Sequence, residues 1–257
     1  MLTFSGVSKY FGGMKAVSDV SFGIEQGAIH ALIGPNGAGK TTLFNLATGL
    51  VRLSGGQVLF GEHPLASLEP HQICRLGIAR TFQNIRLFRG MTAIETVAVG
   101  TNTRFHYDIF TAMLALPRKR RNEKKAFDKA EEILDFVGLK KKSNYLCYEL
   151  SYGEQRLLEI ARALATGPKL LLLDEPTAGM TETETENVSD LIKSISQKGI
   201  TVFFIEHDMR FVMGLSSKVT VLNFGTLIAN GPPQEVQNNE AVIQAYLGRG
   251  GALNVGG

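Results

Sequence analysis

The spacing of apolar positions divides the chain into three parts. Segments of β type lie near the start, at residues 2–4, 17–22, 28–33 and 57–60. A helix is expected from residue 40 to about residue 48, and helical spacing dominates from about residue 92 to residue 165. Segments of β type return at 170–173, 201–205 and 218–223, with helices expected near 182–196 and 209–215. The pattern predicts an α/β core that is edged by antiparallel strands and interrupted by a helical insertion.

The same pattern predicts how a single domain spanning residues 1–257 is divided. The core takes residues 1–83 and 167–247, a helical subdomain takes about 84–166, and residues 248–257 form a loose tail. The 257 residues are 44% hydrophobic and 20% charged, with a net charge of +3. This length and composition suit one large domain with a substantial buried core.

Two further features exclude whole classes of protein. The cysteines, Cys74 and Cys147, do not form a C-x-x-C arrangement, so we expect packing residues in a reducing compartment and not disulfides or a zinc site. No signal-peptide pattern is present, and no apolar run approaches the roughly 18 residues that crossing a bilayer requires. Any association with a membrane is therefore expected to be peripheral.

A glycine-rich segment after the apolar run 29–33 fits the pattern G-x-x-x-x-G-K-[ST]. The residues of this predicted nucleotide-binding loop are Gly34, Pro35, Asn36, Gly37, Ala38, Gly39, Lys40, Thr41 and Thr42. The glycines let backbone N–H groups point at the phosphates, and Lys40 adds a full positive charge. The Thr41 hydroxyl is expected to ligate Mg²⁺, while Thr42 caps or packs the first helical turn. The alternative is an ordinary glycine turn, which the order strand, loop, helix disfavours.

Two carboxylates follow the four leucines at 170–173. Asp174 and Glu175 leave the carboxyl end of a predicted buried strand, which is where open α/β sheets bind ligands. Asp174 is expected to hold Mg²⁺, and Glu175 to orient or deprotonate the water that attacks the γ-phosphate. Taken alone the pair could equally be an acidic strand cap, but the upstream phosphate loop favours catalysis.

The hexapeptide at 150–155 opens a predicted helix and suggests a second anion site. Ser151 and Glu154 have the spacing of a capping box, which needs no functional explanation. Gly153, however, costs a helix roughly 0.5–1 kcal/mol relative to alanine, and a phosphate that approaches the backbone closely would account for it. A serine hydroxyl, a bare glycine N–H and a helix dipole together form an anion site. We hypothesise that a partner's nucleotide completes this site in an ATP-clamped dimer.

The phosphate loop, the hexapeptide, the strand with Asp174 and Glu175, and a later histidine resemble, in this order, an ATP-binding cassette (ABC) ATPase. The resemblance spans nearly the whole chain and implies a P-loop NTPase core of α/β class, an N-terminal antiparallel β subdomain and an inserted α-helical subdomain. It implies that Phe11 stacks on adenine, although Tyr10 could do so instead and either could be a core aromatic. It implies that Gln83 senses Mg²⁺ and the attacking water and that His207 contacts the γ-phosphate.

The resemblance also implies which residues face a partner's ATP and which molecules assemble with the chain. The signature residues are Ser151, Tyr152, Gly153, Glu154 and Gln155. The implied cofactors are ATP and Mg²⁺. The implied partners are a second cassette, identical or related, two transmembrane permease subunits and, indirectly, a solute-binding protein, so that the chain lies at the cytoplasmic face of the membrane. The expected docking surface lies around 83–92, where Phe88 and Met91 are either contacts or core residues.

Within the ABC ATPases the finer resemblance is to the ATP-binding subunits of branched-chain amino acid importers of the Liv type. It rests on the stretches 80–88, 205–214, 229–233 and 245–248, and on the long insertion between residues 98 and 143. Related amide and urea importers share much of it. Tyr152 replaces the more common second-position glycine of the signature, as in the Liv type, but Thr181 departs from both the aspartate of the wider family and the asparagine of that subgroup. Thr181 therefore bears on the coupling between subunits, and we expect hydrolysis to survive both changes.

Two other functions explain fewer of these motifs. The basic run at 118–125, with 140–142, invites a nucleic-acid or membrane-surface function, but no aromatic residues are interleaved with it, so we expect no nucleic acid partner. Cassettes that act on nucleic acid or the ribosome usually carry tandem cassettes, coiled coils or zinc insertions, none of which is visible. A GTPase or nucleotide kinase would leave the hexapeptide unexplained, and the sequence contains no guanine-reading N-K-x-D motif.

Overall fold

The computed structural model describes residues 1–88, 90–101 and 117–247, with the backbone alone at 117–122 and 247. The predicted tail at 248–257 lies outside these residues, as do the side chains of most of the basic run. The strands are β1 (Leu2–Phe11), β2 (Met14–Ile24), β3 (Ile29–Ile33), β4 (Gly55–Phe60), β5 (His63–Pro64), β6 (Ile78–Arg80), β7 (Leu170–Asp174), β8 (Thr201–Ile205), β9 (Lys218–Asn223) and β10 (Thr226–Gly231).

The helices lie between these strands or follow them. They are α1 (Lys40–Ala47), α2 (Pro70–Leu76), α3 (Ala93–Thr101), α4 (Pro117–Phe136), α5 (Tyr152–Ala165), α6 (Glu182–Gln197), α7 (Met209–Leu215), α8 (Pro233–Gln237) and α9 (Glu240–Leu247). Short 3-10 turns at Lys140–Lys142 and Cys147–Glu149 lead into α5. Among the helices that the structure describes, none is both long enough and apolar enough to cross a membrane.

Two sheets carry the fold. The first is antiparallel and four-stranded, in the order β2-β1-β4-β5. The second has six strands in the order β10-β9-β3-β8-β7-β6, and its neighbours pair in parallel except for β9 with β10. The predicted α/β class, with antiparallel strands at its edge and a helical insertion, is therefore confirmed.

The six-stranded sheet is buried on both faces. Along β7, Leu170 and Leu172 face the antiparallel sheet and α1, while Leu171 and Leu173 face the opposite core. All five residues of β7 and of β8 are buried, which explains why each strand carries four consecutive apolar residues, 170–173 and 202–205, and does not alternate with polar residues. Such a sheet is closely packed and rigid, so the loops that follow its strands begin from fixed positions.

The helical insertion is built from α3, α4 and α5. These helices pack on one another through the core that contains Leu171 and Leu173, on the side of the sheet opposite α1. The strands β1 and β2 extend well beyond the predicted segments 2–4 and 17–22, because their outer halves pair with each other while exposing much of their surface. The short elements α2 and β6 were not predicted, since seven and three residues are too few to show a period. The division at residues 83/84 and 166/167 stays a prediction.

Candidate nucleotide site

Most of the predicted site residues follow the carboxyl ends of four neighbouring strands. In the sheet order, β3, β8, β7 and β6 are adjacent and parallel. The glycine-rich loop follows β3, His207 follows β8, and Glu175 follows β7 directly. Gln83 lies three residues beyond the end of β6. Because parallel strands end at one edge of a sheet, residues that are far apart in the chain meet there.

The backbone of the glycine-rich loop has conformations in which a residue with a side chain would be strained. Gly34, Gly37 and Gly39 have φ values of +147°, +81° and +100°. A Cβ on Gly39 would also lie 2.5 Å from the carbonyl oxygen of Ala16, so this position excludes a side chain on two grounds. Gly39 is the N-cap of α1 and no side chain caps that helix, so its first N–H groups remain available to an anion.

Lys40 is held inside its own loop. Its Nζ donates to the carbonyl oxygens of Gly34 at 2.6 Å and of Pro35 at 3.1 Å. Burial lowers the pKa of Lys40 below its ordinary value, and the charges of Glu175 and Asp174 act in the opposite direction. The ammonium therefore sits within reach of both carboxylates. Thr41 is exposed at the start of α1 and Thr42 is half-buried.

Asp174 forms a buried ion pair that the sequence did not reveal. The Arg80 Nη2 atom lies 2.8 Å from Asp174 Oδ2, and both side chains are at most 5% exposed. The other guanidinium nitrogen, Nη1, donates to Asn45 Oδ1 at 2.7 Å and to Thr48 Oγ1 at 3.2 Å, both on the α1 side. Burial lowers the pKa of Arg80, and the interaction with Asp174 opposes this shift. Arg80 thus ties the end of β7 to the helix that follows the phosphate loop.

Glu175 has a backbone conformation that is uncommon for a residue with a side chain. Its φ is +50°, and its N–H donates to the carbonyl oxygen of Ile205 at 3.0 Å. Its carboxylate accepts a hydrogen bond from Gln83 Nε2 at 2.8 Å. Strained backbone of this kind persists where the surroundings hold it, and it is frequent at active sites. The fold therefore aims this carboxylate at the sheet edge.

His207 and Glu206 follow β8 and differ sharply in exposure. The His207 side chain is 69% exposed, whereas that of Glu206 is 1% exposed, and His207 Nδ1 lies 3.6 Å from Glu206 Oε2. Glu206 Oε1 also accepts from the Thr177 backbone N–H at 3.0 Å and from its hydroxyl at 2.6 Å. Glu206 therefore joins the segment after Glu175 to the segment that presents His207.

The predicted capping box at the start of α5 is present. Ser151 Oγ accepts from the Glu154 backbone N–H at 3.3 Å, and Glu154 Oε2 accepts from the Ser151 N–H at 3.0 Å. Glu154 also pairs with Lys142 at 2.6 Å, and the Gln155 amide donates to the Leu150 carbonyl at 2.9 Å. Ser151 and Tyr152 are exposed while Gly153 is buried. Thr181, whose identity departs from the family pattern, caps α6 in the same way with Glu184.

The two candidate aromatics for adenine stacking lie on the surface. Phe11 is 45% exposed and Tyr10 is 41% exposed, so neither is a core residue. Lys9 Nζ lies 4.9 Å from the centre of the Phe11 ring. Phe88 is 54% exposed, which likewise excludes the core alternative for that residue.

The donors predicted for Mg²⁺ suit that ion. Thr41 offers a hydroxyl, Gln83 an amide oxygen and Asp174 a carboxylate, and Mg²⁺ prefers such oxygen ligands together with substrate phosphates and water. Across the described residues, no group of three or more acidic, histidine or cysteine side chains forms an all-protein metal cage. The donor set therefore fits Mg²⁺ that nucleotide phosphates would also hold.

Sequence reasoning missed four charged residues at this site. They are Arg80, Glu206, Arg156 and Glu159, and each of these side chains is at most 5% exposed. A signal was available, since Arg156 and Glu159 lie on the face of a helix whose other residues are apolar. Charged residues at such positions are rarely buried unless they are paired.

Comparisons with known proteins agree with this geometry. The sequence pattern of the ABC transporter family matches residues 17–178, and that of the branched-chain amino acid ATP-binding cassette transporter matches residues 226–252. The high-affinity branched-chain amino acid transport ATP-binding protein LivG of Salmonella typhimurium is 44% identical, with 96% of this chain and 98% of that protein covered. The corresponding protein BraF of Pseudomonas aeruginosa is 41% identical over the same shares of the two chains.

Solved structures show the same fold. A crystal structure of a nucleotide-free ATP-binding cassette from an ABC transporter has a TM-score of 0.84 and 31% identity, covering 96% of this chain and 98% of the other. An ADP conformation of a cassette of this kind has a TM-score of 0.83 at the same identity and coverage. The chain therefore belongs to the ABC transporter family of ATP-binding cassettes.

Proposed function

We propose that this chain hydrolyses ATP to power the import of branched-chain amino acids through a membrane permease. The observation that carries the proposal is the meeting of the glycine-rich loop, His207, Glu175 and Gln83 at the ends of four adjacent parallel strands. The solute is the part that rests on similarity, since the relatives named for branched-chain amino acid transport are 41–44% identical over almost the full chain.

Each residue at the sheet edge has a role in this proposal. Lys40 exchanges the Gly34 and Pro35 carbonyls for the β- and γ-phosphates, and the N–H groups of the loop hold the same phosphates. Thr41, Gln83 and Asp174 would hold Mg²⁺, and Asp174 is kept in place by its pairing with Arg80. Bound Mg²⁺ would neutralise charge that develops on the phosphate oxygens.

Hydrolysis itself uses the residues around Glu175. The Glu175 carboxylate accepts the proton of the attacking water, and Gln83 holds that carboxylate through the 2.8 Å hydrogen bond while sensing the ion. His207, which is exposed and backed by Glu206, contacts the γ-phosphate. Phe11 stacks on adenine, and Tyr10 is the alternative, since both rings are open to the surface.

A second cassette completes the site. Ser151 and the N–H groups of the first turn of α5, with Tyr152, Gly153, Glu154 and Gln155 around them, receive the ATP of the partner. The exposed position of Ser151 at this helix start supports the proposal. The partner is either a copy of this chain or a related cassette.

The permease docks around residues 83–92, beside the groove between the core and the helical insertion. Phe82, the residue before Gln83, lines a cleft of about 320 Å³ together with Leu50, Ile73 and Val99. Leu50 and Val99 are 48% and 39% exposed, so the cleft offers apolar surface to a short amphipathic segment. Docking there holds the chain at the cytoplasmic face of the membrane as a peripheral subunit, and a solute-binding protein acts only through the permease.

Transport in membrane vesicles tests the proposal. Vesicles that contain this chain with its native permeases and binding protein should take up labelled leucine, isoleucine or valine only when ATP is enclosed with the chain. Vesicles made with the Glu175→Gln variant should take up none. Uptake of urea or a short amide in place of leucine would refute the proposed solute, and ATP-independent uptake would refute the proposed function.

A further inference from the structure

Arg156 joins α5 to the loop that carries Gln83. Arg156 is only 3% exposed, and its Nη1 donates to the carbonyl oxygen of Phe82 at 2.8 Å. Its Nη2 donates to the carbonyl oxygen of Gln83 and, at 2.9 Å, to the hydroxyl of Tyr152. One side chain therefore holds two successive carbonyls of an irregular loop and one residue of the hexapeptide.

A second residue of α5 holds the far end of the same loop. Glu159 is 1% exposed, and its Oε1 accepts from the Arg86 backbone N–H at 2.8 Å. Arg162, one helical turn further on, pairs with Glu159 at 3.6 Å and donates to the Arg86 carbonyl. Burial raises the pKa of Glu159, while the Arg86 backbone and the neighbouring arginines oppose the shift. Residues 82–86 are thus fastened to one face of α5 at both ends.

Tyr152 extends this link to the segment after Glu175. The guanidinium carbon of Arg156 lies 5.4 Å from the centre of the Tyr152 ring. A Cβ on Gly179 would lie 3.2 Å from Tyr152 Cε1, so the ring covers the backbone of Gly179, which has a φ of +75°. Tyr152 therefore contacts both Arg156 and the loop between β7 and α6.

A continuous path of contacts results. It runs from the Tyr152 hydroxyl to the Arg156 guanidinium, then to the Gln83 carbonyl, and from the Gln83 amide to the Glu175 carboxylate. We propose that Arg156 is a positioning residue that passes the state of the hexapeptide to Gln83 and Glu175. The proposal rests on the function proposed above, because it requires hydrolysis at Glu175 and a partner's nucleotide at the hexapeptide.

The geometry calls for arginine and not simply for a positive charge. A planar guanidinium presents several N–H groups in fixed directions, and here two nitrogens reach three acceptors on two segments of chain. A lysine ammonium at the same position could keep the charge near Glu159 but could not hold all three acceptors at once. Arg156→Lys therefore keeps a buried positive charge but removes the hydrogen bonds that position the loop.

The test compares a subtle change in Tyr152 with a matched control. Tyr152→Phe removes one hydroxyl from a side chain that is 46% exposed, so the fold is retained. Tyr145→Phe is the control, because Tyr145 is also 46% exposed and lies in the same region without contacting Arg156. The measurements are kcat and KM for ATP, nucleotide affinity of the isolated chain by calorimetry, and ATP-dependent dimer formation in a Glu175→Gln background.

We expect Tyr152→Phe to lower kcat by about 10- to 150-fold, the scale of one hydrogen bond to a charged group, with the nucleotide affinity of the isolated chain unchanged. Arg156→Lys should lower kcat further, while Tyr145→Phe should match the unmodified chain. Normal kcat in Tyr152→Phe and Arg156→Lys would refute the positioning role, as would an equal loss in the control or a loss of the ATP dimer in Arg156→Lys. Absence of hydrolysis in the unmodified chain would instead refute the proposed function.

Discussion

The carboxylate of Glu184 occupies the space beside the α-carbon of Gly153 that a side chain would fill. A Cβ on Gly153 would lie 3.0 Å from Glu184 Cδ and closer still to Oε1. Glu184 Oε2 is held by the Thr181 N–H and hydroxyl, each at 2.9 Å, and these hydrogen bonds keep the pKa of Glu184 below its ordinary value. The Glu184 carboxylate of the same chain therefore explains why a glycine, which has no side chain, occupies position 153.

This contact predicts that the effect of a substitution at Gly153 depends on Glu184. Gly153→Ala should cost about 1 kcal/mol of unfolding free energy, because the new methyl group displaces Glu184 from its cap on Thr181. In a Glu184→Ala background the same substitution should be neutral or stabilise by up to about 1 kcal/mol through helix propensity. Urea unfolding of the four variants measures the coupling. Equal effects in both backgrounds would show that the two residues do not interact.

Loss of the Glu175 carboxylate should separate binding from hydrolysis. Glu175→Gln keeps the size of the side chain and an oxygen that accepts from Gln83, but it cannot take a proton from water. We expect ATP affinity to persist and kcat to fall by roughly 10²–10⁴-fold, the scale of a lost general base. Glu186→Gln, the same change at an exposed position of α6, is the control. Turnover close to that of the control would remove Glu175 from the catalytic role.

Lys40 should be required for binding the phosphates. Lys40→Ala removes the ammonium that now bonds to the Gly34 and Pro35 carbonyls at the mouth of the loop. We expect calorimetry to detect no ATP binding by this variant, while thermal unfolding shows an intact fold. Lys15→Ala, at an exposed position of β2, is a suitable control. Unchanged affinity in Lys40→Ala would disprove the phosphate-loop assignment.

Two inactive variants should restore activity when they are mixed. If the nucleotide of one subunit meets the hexapeptide of another, a Lys40→Ala subunit paired with a Ser151→Ala subunit retains one intact composite site. We expect a mixture of the two to hydrolyse ATP faster than either variant alone. The experiment applies if this chain pairs with itself, which light scattering with ATP establishes first. Dimers that form without recovering activity would count against a shared site.

A buried histidine should make the fold sensitive to acid. His30 is fully buried, its Nε2 lies 2.8 Å from Thr220 Oγ1, and burial, with the charge of Lys218, lowers its pKa from 6.5 to about 3. The unfolded imidazole binds a proton below pH 6.5 while the folded one stays neutral, so stability falls as the pH is lowered. Between pH 6.5 and 5.0 the loss should be about 2 kcal/mol.

The slope of stability with pH identifies the residue responsible. His30→Asn should be less stable than the unmodified chain at pH 7.5 but should lose less stability between pH 6.5 and 5.0. His63→Asn, at an exposed histidine, should keep the full slope. Urea midpoints at several pH values supply the measurement. The same slope in all three proteins would mean that His30 does not titrate on unfolding.

Local signals in the sequence were sufficient for the separate motifs. The glycine pattern at 34–42, the buried strand before Asp174 and the capping box at Ser151 each span fewer than ten residues, and each lies where it was predicted. Short-range chemistry determines such features, because a turn, a cap or a continuous apolar strand depends on neighbours in the chain. The full length of β1 and β2 could not be predicted, since it depends on pairing between them.

The partners of three buried charged residues could not be predicted from neighbouring positions in the chain. These residues are Arg80, Arg156 and Glu159. Arg80 reaches Asp174 across 94 positions and Arg156 reaches Gln83 across 73 positions, so no window of sequence contains both partners. The sequence by itself determined the α/β class, the phosphate loop, the paired carboxylates and the capped helix start. Only the tertiary structure decided that Glu184 lies beside Gly153 and that Arg156 links the hexapeptide to Gln83. The physical reason is that a buried charge is stable only beside partners that the fold itself brings to it.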